Sequence, residues 1–111
     1  MKTVDSLKEI LESAGLPAQR GVYSGEEKPE AYYTYLRITK GAAASADDHE
    51  SCGRELYRVT LFHKGNFEEQ LDKTLKVLRA ADAYINGVDT EYLDTDTGYW
   101  EIPITIEILK E

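Results

Sequence analysis

The stretch Tyr92–Ile108, YLDTDTGYWEIPITIEI, carries the strongest alternation in the chain. From Trp100 onward an apolar side chain stands at every second position, and four of these are isoleucines. Because successive strand residues point to opposite faces, this period of two predicts a strand with one face on a core. Pro103 lacks a backbone N–H, so we expect the strand to lie at a sheet edge or to contain a bulge there.

The other elements follow from hydrophobic spacing and from turn residues. Apolar residues at helical spacing predict two amphipathic helices, at residues 3–14 and 67–81, and Asn66 is the expected N-cap of the second. Residues typical of β-structure predict further strands at 19–23, 31–40, 55–64 and 88–93. Before the last of these, Asn86-Gly87 is expected to interrupt regular secondary structure.

This element order, α-β-β-β-α-β-β, predicts one α+β domain spanning residues 1–111. We expect a mainly antiparallel sheet of four to five strands, with both amphipathic helices packed on one face.

The eight tyrosines point to candidate surface residues. Leu36 and Ile38 share one face of their strand and are expected in the core, which turns Tyr33 and Tyr35 outward. Tyr99 likewise points away from the isoleucines of the last strand. Outward tyrosines are compatible with an ordinary sheet surface or with a protein interface, where tyrosine supplies contact area at low entropic cost.

The acidic string DTDTG, residues 94–98, is compatible with a calcium loop or a turn. In a calcium loop glycine stands at the sixth position and glutamate at the twelfth, but Gly98 is fifth and Thr105 twelfth. A strand follows here, where a calcium loop leads into a helix. The spacing therefore predicts a hairpin turn, and leaves Asp94 and Asp96 as weak metal candidates.

Between the second and third predicted strands, residues 41–54 are small and polar and predict a flexible loop. The loop contains Asp47, Asp48, His49 and Glu50, followed by Ser51 and Cys52. Asp47 and Asp48 are also weak metal candidates, but neighbouring loop residues rarely converge on one ion, and no second ligand group has zinc-like spacing. A loop that becomes ordered against a partner is the alternative.

The net charge of −8 is concentrated at one end, since residues 82–111 hold eight acids and one base. Such an end repels phosphate backbones and disfavours nucleic acid as a ligand. It is compatible with a solvated face or with docking to a basic partner. No apolar run is long enough to span a bilayer, and the lone Cys52 is typical of a cytosolic protein.

No pattern in the chain predicts catalysis. Glycine-rich phosphate motifs and suitably spaced carboxylate pairs are absent from the sequence, and Cys52 with His49 lacks an ordered frame. We expect no catalytic residue and no cofactor, although a metal-dependent enzyme using Asp47, Asp48 and His49 remains a third alternative.

Taken together, the segments YYTYLRITK, ELYRVTLFHKG, NFEEQLDKTLKVL and EYLDTDTGYWEIPITIEI resemble the tail terminator, or tail-completion, proteins of long-tailed bacteriophages and prophages, some of them called minor capsid proteins. The similarity covers nearly the whole chain and lies in element order and in the acidic turn before the last strand.

This resemblance implies a non-enzymatic subunit of a ring, usually of six, that caps the tail tube. Its partners would be other copies of itself, the major tail tube protein and the head connector. It would be found in the bacterial cytoplasm during assembly and then in the virion. The loop would contact the tube or a neighbouring subunit, and the acidic hairpin would face the lumen or the connector.

The interface candidates are therefore Tyr33, Tyr35, Asp47, Asp48, His49, Glu50, Tyr99 and Pro103. The alternative function is a cytosolic α+β domain, unrelated to phage, that binds a protein or a small molecule.

Overall fold

The computed structural model describes residues 4–25, 27–40 and 53–110. In chain order the elements are α1 (Val4–Glu12), β1 (Ala18–Arg20), β2 (Ala31–Lys40), β3 (Gly53–His63), α2 (Glu68–Ala80), β4 (Tyr84–Val88), β5 (Tyr92–Leu93) and β6 (Trp100–Lys110). Of the predicted loop at 41–54, residues 41–52 lie outside the described residues, whereas Gly53 and Arg54 belong to β3.

The strands form one mixed sheet in the order β1-β2-β3-β6-β4, and the short β5 also pairs with β6. All pairs are antiparallel except β1 with β2, which is parallel. The predicted α+β class is confirmed, but the sheet has six strands instead of four or five. The extra strand arises where a single strand was predicted at residues 88–93.

That part of the prediction was wrong because Asn86-Gly87 was expected to interrupt regular secondary structure. The pair lies inside β4, at an irregularity where the pairing register with β6 shifts between Ile85 and Gly87. A bulge admits an extra residue without ending the strand. Pairing stops after Val88 and resumes at Tyr92, so two strands occupy this flank of the sheet.

Strand β6 occupies the middle of the sheet, between β3 and β4, and its register with β3 is continuous through Pro103, so the prediction that Pro103 marks an edge strand or a bulge was wrong. The Pro103 carbonyl accepts a hydrogen bond from the Asp89 N–H (2.8 Å) on the β4 side. Because the N–H and C=O of one strand residue face the same side, the missing proline donor also faces Asp89, just beyond the end of β4, and points away from β3. The ladder between β3 and β6 therefore loses no bond at Pro103.

The core lies between the sheet and the two helices, which both cover the same face. Leu7 and Leu11 of α1 and Leu78 of α2 are fully buried in it. Every second strand residue meets them, as the period of two predicts. These residues are Tyr33, Tyr35, Tyr57, Val59, Leu61, Ile102, Ile104, Ile106 and Ile108.

The predicted orientation of β2 was therefore wrong, since Tyr33 and Tyr35 point into the core. Tyr33 pairs with Leu61 and Tyr35 with Val59, both residues of the helix-covered face. Leu36 and Ile38 lie on the opposite face and are 46% and 45% exposed. Burial of Tyr33 is tolerated because its hydroxyl is hydrogen-bonded inside the core.

Strand β3 connects directly to α2 through a short polar turn. The Asn66 side chain accepts a hydrogen bond from the Glu68 N–H (3.0 Å), so it satisfies one of the free donors at the helix start. The N-cap position itself is Phe67, one residue later than predicted.

Candidate functional site

The side of the sheet opposite the helices, called the helix-free face below, is covered by neither α1 nor α2. Its members alternate with the core residues along three long neighbouring strands. They are Tyr32, Thr34, Leu36 and Ile38 of β2, Leu56, Arg58, Thr60 and Phe62 of β3, and Glu101, Pro103, Thr105 and Glu107 of β6.

One end of the helix-free face is closed by an aromatic cluster of Tyr23, Tyr32, Phe62 and Tyr99. Tyr32 stacks on Phe62 with ring centroids 4.6 Å apart, and its ring lies 4.7 Å from that of Tyr23. The Tyr99 ring meets Tyr32 edge-on at 5.4 Å. Such offset and edge-on pairs stabilise a surface layer beyond simple area burial. The cluster behaves as a small second core.

Hydrogen bonds and a cation fix this cluster in place. The Tyr99 hydroxyl donates to the Pro29 carbonyl and so holds the segment before β2 against the sheet. The Lys64 ammonium lies 4.9 Å from the centre of the Tyr99 ring, within range of a cation–π contact.

Burial in the cluster changes the acidity of its members. Desolvation, with smaller contributions from Tyr99 and Glu101, raises the pKa of Tyr32 to about 12. Desolvation also raises the pKa of the neighbouring Glu101 carboxyl, and the negative charge of Asp94 adds to that effect. These shifts follow from packing, because each group loses water from its charged form.

The DTDTG string forms the turn between β5 and β6, as predicted. Asp94 exchanges backbone bonds with the residues that close the turn, donating to the Tyr99 carbonyl (2.9 Å) and accepting from the Gly98 N–H (2.7 Å). The Asp94 carboxylate accepts the Asp96 N–H (3.0 Å), and Gly98 has a φ of +84°. Asp94 therefore caps its own turn.

The other end of the helix-free face is open and apolar, and Leu36 and Ile38 lie there. On the helix side of the same end, a polar group closes the core: the Tyr57 hydroxyl donates to the Glu55 carboxylate (2.8 Å), and the Arg37 guanidinium lies 3.9 Å from Glu55. Desolvation, then the bond to Glu55, raises the pKa of Tyr57.

The flank formed by β4 and β5 also exposes large apolar side chains. Tyr84 is 67% and Val88 is 41% exposed, and Tyr92 and Leu93 of β5 are exposed as well. Acidic residues surround them, and the carboxylate of Asp89 lies 3.7 Å from the Arg58 guanidinium. The flank therefore combines apolar contact area with negative charge.

The structure separates the predicted interface residues. Tyr33 and Tyr35 are excluded, because both lie in the core. Tyr99 is on the predicted side of its strand, but the aromatic cluster leaves it only 6% exposed. Pro103 is on the helix-free face. Asp47, Asp48, His49 and Glu50 lie outside the described residues.

The exposed apolar residues of the two flanks were missed. Leu36 and Ile38 were assigned to the core because an aliphatic face is ordinarily the buried one. The sequence did contain a warning. Tyrosines occupy one face of β2 and aliphatic residues the opposite face, so either face could have been the buried one. Tyr84 and Val88 were missed together with β4.

Of the weak metal candidates, Asp94 and Asp96 gain no support from the geometry, and Asp47 and Asp48 lie outside the described residues. Asp94 is engaged in its own turn, and the described residues contain no group of three or more His, Cys, Asp or Glu side chains placed to share an ion. Neither α1 nor α2 is long and apolar enough to cross a membrane.

Two depressions flank the aromatic cluster and share Lys28, Tyr32 and Phe62 in their walls. Their volumes are about 170 and 140 Å³. Pockets that enclose small organic ligands usually measure at least about 300 Å³. Each of these two depressions is therefore smaller than a usual pocket for a small organic ligand.

Comparison with known proteins supports the fold and leaves the function open. No family model matches the sequence, and no curated protein matches it. A solved structure known only by a serial designation matches with a TM-score of 0.54 and 12% sequence identity, over 91% of this chain and 84% of that chain. A likeness at this identity concerns the fold alone.

Proposed function

We propose that this protein is a non-enzymatic structural protein of a long-tailed bacteriophage or prophage. It forms a ring of its own copies, six in the simplest case, on the end of the tail tube and joins the tube to the head connector. Assembly takes place in the bacterial cytoplasm, and the ring remains in the neck of the virion.

The observation that supports this proposal is the distribution of exposed apolar residues. Leu36 and Ile38 lie on one flank of the sheet, and Tyr84 and Val88 lie on the other. Two separate patches on opposite sides of one subunit suit a heterologous interface, in which each copy meets two neighbours through different surfaces. Contacts of this kind form a ring when the rotation between neighbouring copies closes.

Two further features agree with a capping role. The acidic C-terminal third supplies a charged surface for docking to another component. The two described depressions beside the aromatic cluster are each smaller than a usual site for a small organic ligand.

The test uses tail tubes polymerised in vitro from the major tail tube protein encoded in the same phage or prophage genome. With this protein added, electron microscopy should show a ring at one end of each tube, and elongation should stop. An unrelated acidic protein of similar size is the control. Tubes that elongate normally and carry no ring would contradict the proposal.

A further inference from the structure

We propose that neighbouring copies join edge to edge, so that β4 of one copy pairs antiparallel with residues 36–40 of β2 in the next. This inference rests on the proposed function and names the subunit interface of the ring. The occupant of each free edge is a second copy of this chain.

The outer edge of β2 is only half covered. β1 pairs with β2 at Tyr33, Thr34 and Tyr35, and the following Gly21 N–H bonds the Tyr35 carbonyl (2.8 Å). Among the described residues no strand pairs with the outer side of residues 36–40. A strand edge of this kind presents unpaired N–H and C=O groups to another chain.

The uncovered part of β2 lies level with β4 on the far side of the sheet. Leu36 pairs with Arg58, Arg58 with Thr105, and Thr105 with Gly87, which places Leu36 and Gly87 in one row across the strands. Copies arranged side by side at equal height therefore bring β4 of one to the free half of β2 in the next.

The strand directions also fit. β2 and β6 run one way, whereas β3 and β4 run the other, because each adjacent pair is antiparallel. When copies related by rotation stand in the same orientation, β4 of one is antiparallel to β2 of its neighbour. Antiparallel pairing is the more stable ladder.

Charge favours this arrangement over pairing of like edges. Residues 17–40, which include β1 and β2, hold four bases and three acids, whereas residues 82–93, which include β4 and β5, hold three acids and no base. Pairing β4 with β4 would bring two acidic flanks together, and like-charge juxtaposition is costly. Pairing β4 with β2 joins the acidic flank to the weakly basic one.

The side chains along both edges suit contact with protein. Strand edges that avoid pairing usually carry lysine, proline or inward-pointing charges. β4 carries no charged residue or proline and exposes Tyr84 and Val88, and the free half of β2 exposes Leu36 and Ile38 beside Arg37 and Lys40. Each edge also contains a register shift, at Ile38 and at Asn86, and bulges of this kind bend a sheet as ring closure requires.

The experiment mixes single-cysteine variants in a Cys52→Ser background, with oxidised glutathione as the oxidant. Leu36→Cys and Ile38→Cys sample two registers on β2, and Gly87→Cys presents the thiol on β4, where an added Cβ meets no atom within 4 Å. Circular dichroism checks that each variant folds. Lys73→Cys, on the exposed surface of α2, is the matched control.

We expect a disulfide-linked pair of chains when a β2 variant is mixed with Gly87→Cys. No such pair should form when the β2 variant or Gly87→Cys is incubated alone or with Lys73→Cys. Opposite strand residues lie within the Cα distance that a disulfide needs. Equal linkage in each variant alone, or no linkage specific to the mixture, would overturn edge pairing. Ring-capped tubes combined with that result would leave the proposed function standing without this interface.

Discussion

At the scale of single residues, the tyrosine face of β2 can be buried because the Tyr33 hydroxyl has hydrogen-bond partners inside the core. Thr74 donates its hydroxyl hydrogen to the Gln70 carbonyl (2.7 Å), so the Tyr33 hydroxyl is the donor in its 2.6 Å bond to Thr74. The Gln70 amide then donates to Tyr33 (3.1 Å). Tyrosine is stable in a core when its polar tip is satisfied in this way.

Tyr33→Phe should lower the free energy of unfolding by about 1–2 kcal/mol, because Thr74 and Gln70 lose a buried partner. Urea denaturation measures the change. Tyr92→Phe, on an exposed side chain, is the matched control and should shift stability by less than about 0.5 kcal/mol. Equal effects of the two substitutions would contradict the buried position of Tyr33.

Stability should fall as pH rises from about 10 to about 12. Tyrosine in an unfolded chain has a pKa of about 10, whereas burial raises the pKa of Tyr32 to about 12 in the folded protein. The folded state therefore holds the proton more tightly, and its contribution is complete below pH 10 and lost as pH passes 12. Urea denaturation at several pH values should show a flatter decline for Tyr32→Phe than for the wild type. An unchanged slope would contradict the shift.

At the scale of elements, periodicity predicted the helices and β6, because their apolar spacing admits a single buried face. It did not predict the orientation of β2, where both faces are apolar and only packing against β3 decides between them. It also missed β4, since Asn86-Gly87 is a common turn signal and a bulge uses the same residues. Of the interface candidates, Pro103 was correctly predicted to lie on the face opposite the isoleucines. The exposed apolar residues of the two flanks became evident only from the order of the strands in the sheet.

Neighbouring alanine substitutions on β2 should have opposite consequences. Tyr35→Ala removes a core side chain and should cost about 3–5 kcal/mol of unfolding free energy. Leu36→Ala, one residue later, lies on the helix-free face and should cost less than about 1 kcal/mol. Thermal or urea unfolding of the dilute monomer measures both. A larger loss for Leu36→Ala would restore the orientation that the sequence suggested.

The β5–β6 turn depends on the backbone freedom of Gly98. Its φ of +84° is unfavourable for residues with a Cβ, although nothing lies within 4 Å of an added Cβ. Gly98→Ala should therefore destabilise the protein by about 1–2 kcal/mol through the backbone alone. Thr95→Ala, an exposed substitution in the same turn, is the control in urea denaturation. No difference between the two would show that the turn relaxes freely.

At the scale of the whole molecule, the sheet has two unlike flanks. One is partly covered by β1 and weakly basic, and the other is formed by β4 and β5 and carries three acids and no base. A subunit with unlike flanks associates head to tail, which gives a ring when the rotation closes. Charge attraction between flanks should make association weaker at high salt.

Val88→Pro offers a selective block of the acidic flank. Because Asp89 bonds to Pro103 of β6, alternation directs the N–H of Val88 away from β6, toward the proposed neighbour. In the register that sets Ile38 opposite Gly87, this N–H faces Arg37 of the neighbour. Proline at position 88 removes that donor and no described bond within the monomer.

The most direct test of ring formation is multi-angle light scattering of the wild type and of Val88→Pro over a wide concentration range. The wild type should form a reversible species near six times 12.5 kDa, and Val88→Pro should remain at the mass of one chain. A wild-type protein that keeps the mass of a single chain at every concentration would contradict the account.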